Sequence, residues 1–103
     1  CWKCGGTFGR LAPAKEAVKH AGEWNHYTIR CVGKKVDVVL NGVNVASMDM
    51  DKWVSGTTNP DGSETPSFLG GPLNTRPTKG KIGLQGKHAG VPIWFRNMKV
   101  KRL

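Results

Sequence analysis

No run in this chain approaches the roughly 18 consecutive apolar residues that a membrane helix needs, so no membrane span is predicted. Acidic residues are scarce, 7 against 16 basic, and no two of them form an evident catalytic pair. That argues against an ordinary glycosidase, which needs two facing carboxylates. Three cysteines are too few, and odd in number, for a complete disulfide framework. Cys1 and Cys4 form a lone Cys-x-x-Cys without the second pair of ligands that structural zinc requires. The formal charge is +9, yet no block of five basic residues and no zinc-finger or RNP signature is present. The positive charge is scattered, which argues against nucleic acid as a partner. No secretory signal and no initiator Met are seen, and the start on Cys1-Trp2 suggests a piece of a longer protein.

What is present is glycine and short alternating runs. Convincing helical periodicity is lacking; residues 14–20 have helix propensity over only about two turns and are read as a loop with at most one helical turn. Residues 24–32 form a strand pattern in which Tyr27, Ile29 and Cys31 alternate with His26, Thr28 and Arg30. Cys31 is read as a small core residue. Residues 35–41 follow, with Val36, Val38 and Leu40 on one face. Asn41-Gly42 is a strong hairpin signal because both residues tolerate positive φ. Residues 43–48 are the return strand, giving an antiparallel meander. Residues 49–79 include a polar stretch, Ser55 to Pro66, with almost no apolar content; such long loops are usually functional or mobile.

Order is expected to return at Gly80. Residues 80–85 and 91–100 alternate apolar and polar side chains around the turn Gly86-Lys87-His88-Ala89-Gly90. Ile82 and Leu84 share one face of the first run, and Gln85 lies on the other. Ile93, Phe95 and Asn97 share one face of the second run; Trp94, Arg96 and Met98 share the opposite one. An amide, a guanidinium and an indole are thereby expected together on a polar face, a trio suited to a sugar-sized ligand. The fold class is all-β. Strands with one apolar face each need a second sheet to cover them, so an antiparallel β-sandwich is expected, of which residues 1–103 are one partial domain. Missing strands would leave open edges and an uncovered apolar face.

Five elements in order carry a family likeness: Ala12-Pro13-Ala14-Lys15, Gly22-Glu23-Trp24-Asn25, Leu40-Asn41-Gly42, Gly80-Lys81-Ile82-Gly83-Leu84-Gln85 and Phe95-Arg96-Asn97-Met98-Lys99-Val100. Together they resemble the 3-keto-disaccharide hydrolase family. The resemblance implies a jelly-roll sandwich of the concanavalin type, with this chain as its C-terminal portion and the missing N-terminal half supplying further strands and polar residues. It also implies a periplasmic or secreted bacterial protein. The chain departs from the family pattern at Val39, where some members carry a tryptophan, and at Lys87, which reads as an insertion.

The implied chemistry is cleavage of glycosides oxidised at C3, which needs a proton acceptor, donors for an enolate oxygen and groups that hold sugar hydroxyls. A divalent cation could polarise the ketone. His88 and Arg96 are the catalytic candidates. His88 is the candidate base or metal ligand, set against an ordinary turn histidine. Arg96 is the candidate donor to the keto oxygen, set against a surface ion pair. Gln85, Trp94, Arg96 and His26 are the substrate-binding candidates. Trp24 reads more simply as a core anchor, Asn25 as a backbone cap, Asn41 as a turn residue and Trp53 as a cap on the cleft. A non-catalytic carbohydrate-binding module on the same fold is the competing reading.

Overall fold

In the computed structural model the chain is described at residues 3–86, 90 and 92–103. Three strands, β1 (Tyr27–Val32), β2 (Lys35–Leu40) and β3 (Val43–Asp49), form one antiparallel sheet in the order β1-β2-β3. The hairpin between β2 and β3 turns at Asn41 (φ 52°) and Gly42 (φ 81°). Both lie in the left-handed region that a tight hairpin of this hand demands.

The alternation of β2 works as its sequence suggests: Val38 and Leu40 are buried and Val36 is partly so. On β3 the register shifts, since Val38 faces Ala46 while Val39 faces Asn44. Val45 is the extra residue of that bulge, so consecutive Val45 and Ala46 are both buried. A bulge of this kind re-aims side chains that strict alternation would separate. Leu40 and Val45 are fully enclosed, with Leu11, Ala17, Val36 and Val43 packed around the cluster. The lead-in segment lies against them. Gly5 (φ +90°) comes so near that a Cβ there would sit 2.6 Å from Val45 Cγ2.

The polar segment 49–79 is more ordered than its composition suggests. It contains short 3-10 turns at Met50–Lys52 and Ser67–Leu69 and an isolated bridge between Thr58 and Glu64. Trp53 is buried, and its Nε1 donates to Asn59 Oδ1 over 3.1 Å. Asn59 Nδ2 donates to the Gly9 carbonyl, and Thr65 Oγ1 donates to Asn59 Oδ1. Arg10 Nη2 donates to the carbonyl of Gly71 at 3.0 Å. Lys34 Nζ holds Asp51 and the Asn74 carbonyl. Side-chain amides and cations do here what an apolar core does elsewhere. Trp53 is therefore an interior anchor and not a cap on a cleft.

Residues 14–20 form a loop, as expected, with no helical turn in it. Two further expectations are corrected. Cys31 is exposed together with every residue of β1. The alternating runs at 80–85 and 92–100 form no strand among the described residues, and Ile82, Leu84, Ile93 and Phe95 are exposed. Alternation encodes two faces but not a partner, and a ladder exists only where another strand supplies hydrogen bonds. Asn97 (φ 54°) also bends the second run away from extended geometry. The all-β class stands: no described residue is in an α-helix, and the described sheet has three strands. No helix among them is long and apolar enough to cross a membrane.

Candidate functional site

The positive φ that the hairpin needs at Asn41 also frees its amide to tie down the chain just before β1. Asn41 Oδ1 accepts from the His26 backbone N–H at 2.8 Å, and its Nδ2 donates to the Ala17 carbonyl at 2.7 Å and to Asn25 Oδ1 at 2.8 Å. Asn25 Oδ1 also accepts from the Lys19 N–H. Asn25 thus acts as the backbone cap that its sequence position suggests, and Asn41 does more than turn the chain.

Trp24 leads directly into this knot. It is 45% exposed, so it is not a core anchor. Arg96 lies over its ring, with Cζ 4.0 Å from the centroid. A guanidinium against an indole face gains cation–π attraction and loses freedom to swing. Its N–H groups remain able to donate to oxygen ligands. Arg96 is exposed and makes no ion pair among the described residues. The structure therefore brings Arg96 to an aromatic platform instead of a carboxylate.

The other candidates are less constrained. Gln85 is exposed, Trp94 is 71% exposed, and the exposed His26 is fixed through its backbone. Among the described residues no hydrogen bond or ring contact joins the side chains of Gln85, Trp94 or His26 to Arg96. His88 lies outside the described residues. One neighbour of Arg96, Trp24, was missed by sequence reasoning; the signal available was its place immediately before Asn25 of the amide knot. On β1, partial burial and then the adjacent Cys4 raise the Tyr27 phenol above the ordinary 10.0. No group of three or more His, Cys, Asp or Glu side chains converges among the described residues, so no donor set for a divalent cation is found there.

An all-β chain with a guanidinium stacked beside a hairpin is the setting in which the comparisons with known proteins fall. Residues 2–101 match the family described as the 3-keto-alpha-glucoside-1,2-lyase-like domain, and the chain belongs to that family. It is also similar to the crystal structure of a "putative glycosyl hydrolase" from Parabacteroides distasonis, with 55% sequence identity and a TM-score of 0.82. That match covers 84% of this chain and 45% of the other, so the chain spans less than half the length of the protein it resembles. No curated protein matches.

Proposed function

We propose that this chain is part of a glycoside-cleaving enzyme acting on 3-keto-glucosides or 3-keto-disaccharides. Family membership supports the glycoside class, and the likeness to the Parabacteroides protein agrees with it. The observation that carries the site is Arg96 held over Trp24 at 4.0 Å. A preset, exposed guanidinium is suited to an anionic oxygen that forms during reaction.

The chemistry follows from the ketone. A carbonyl at C3 acidifies the C2 hydrogen. A base takes that proton, and the C–H electron pair becomes the enolate. The enolate collapses to restore the C3 carbonyl and form a C1–C2 double bond. The C1–O bond breaks, and the departing oxygen takes a proton. Water added across the new double bond would complete net hydrolysis. In this reading Arg96 donates to the C3 oxygen as it gains charge, Gln85 spans sugar hydroxyls, Trp94 offers a ring face, and His26 lines the approach. His88 is the proposed base. None of these steps is routed through a metal.

The domain reading is of the same kind. Residues 1–103 are proposed as one portion of a jelly-roll sandwich, with the exposed face of β1 and the runs at 80–85 and 92–100 paired by strands from elsewhere in the protein. The exposure of every β1 residue supports this.

The test is turnover by the full protein. Release of the leaving group from a 3-keto-glucoside, but not from the unoxidised glucoside, is expected. Binding of both without release would favour a lectin-like module on the same fold.

A further inference from the structure

Apart from the Arg96 candidates, the segment 49–79 carries an open cleft of about 760 Å³, lined by residues 56–57, 64–68 and 70–71. We propose that this cleft is a binding site for a neutral pyranose, with Phe68 as its stacking face and Glu64 as the acceptor for sugar hydroxyls.

The walls are fixed from beneath. Arg10 is buried and donates through Nη2 to the Leu69 and Gly71 carbonyls, tethering the segment that carries Phe68. Asn59 ties Thr65 and Ser63 to Trp53 and to Gly9. On this frame Phe68 stands 69% exposed, its ring centroid 6.1 Å from that of Phe8 with the planes tilted by 43°. An aromatic side chain held in water by a braced backbone offers a flat apolar surface at a reduced ordering cost on binding.

The rest of the lining is polar. Thr57 and Ser67 bring hydroxyls, Glu64 is exposed, and Gly70 leaves open space over the backbone, while Gly56 packs against the Gly71 backbone. Glu64 is the one ionisable side chain in the lining, and Arg76, beside the lining residue Gly71, is engaged with the Gly70 carbonyl. A single stacking face amid hydroxyls disfavours an apolar peptide, which would want a continuous greasy groove. A pyranose has one apolar C–H face and a rim of hydroxyls, and it matches both halves of the cleft. None of the lining residues belongs to the Arg96 set, and the binding proposed here does not require the 3-keto reaction.

The experiment uses the full chain with two unoxidised probes, methyl β-D-glucopyranoside and cellobiose, followed by saturation-transfer NMR and titration. Binding of at least one probe is expected. Phe68→Ala should weaken it about tenfold, and Phe68→Trp should preserve it. Glu64→Gln should weaken it about threefold through loss of charged acceptors. Absence of binding by both probes would overturn the proposal. So would an unchanged affinity in Phe68→Ala. Phe68→Trp guards against a folding artefact, because it keeps the ring. Failure of turnover on a 3-keto-glucoside would leave this result standing.

Discussion

Trp53 Nε1 donates to Asn59 Oδ1 across 3.1 Å, and both residues are buried inside a segment whose composition is that of a loop. Asn59 serves four partners there: Trp53, Thr65, Ser63 and the Gly9 carbonyl. Asn59→Ala would leave a buried indole N–H and a buried carbonyl without partners. The expected loss is about 3 kcal/mol, since each unsatisfied buried group costs about 1–3 kcal/mol. Denaturant unfolding followed by tryptophan fluorescence checks this. Asn59→Asp should rescue only in part, because a carboxylate accepts from Trp53 but cannot donate to Gly9.

Asn41 combines a left-handed backbone with three side-chain hydrogen bonds. Asn41→Ala would strain the turn and release the chain ahead of β1. A loss of about 2 kcal/mol is expected from the backbone and the bonds together. Asn41→Gly should restore the turn but not the knot. Amide exchange at His26 would then be fast in both variants.

Much of the meander was legible because local chemistry decides it. Asn41-Gly42 specifies its turn, and Val38 and Leu40 bury themselves by alternation alone. The bulge at Val45 was not legible, since it depends on the partner strand's register. Cys31 and Ile29 carry a core pattern but are exposed, because no described layer covers β1. The runs around Ile82 and Phe95 fail as described strands for the same reason. Arg96 was singled out as a candidate by its residue type and family context, and the structure adds the ring beneath it. Trp24 was missed because an aromatic residue opening a strand reads first as core, and only three-dimensional placement puts a cation over it.

Tyr27 is the chain's single tyrosine, so its titration can be followed directly. Partial burial, then the Cys4 thiol beside it, hold its phenol above the ordinary 10.0. As pH rises the unfolded chain ionises first. The associated stability is therefore full below the ordinary value and is lost as pH climbs through the raised folded value. Ultraviolet difference absorbance, with Tyr27→Phe as the blank, should give a midpoint above 10.0, the ordinary value. Cys4→Ala should lower that midpoint.

Asp61 behaves in the opposite sense. The Ser63 hydroxyl and then the Ser63 backbone N–H hold its carboxylate below the ordinary 3.8. The turn support it gives is present above the ordinary value and is lost as pH falls through the lowered one. Carboxyl NMR titration should place its midpoint below 3.8, and Ser63→Ala should move it back upward.

The most direct measurement is kcat/KM for release of the leaving group from a 3-keto-glucoside by the full protein, comparing wild type, Arg96→Ala, Arg96→Lys and Trp24→Phe. A donor to a developing oxyanion is worth about 100-fold. Arg96→Ala should lose about that much with little change in KM. Arg96→Lys should recover only part of it, and Trp24→Phe, which keeps a ring beneath the cation, most of it. Arg96→Ala with wild-type kcat/KM would contradict the account.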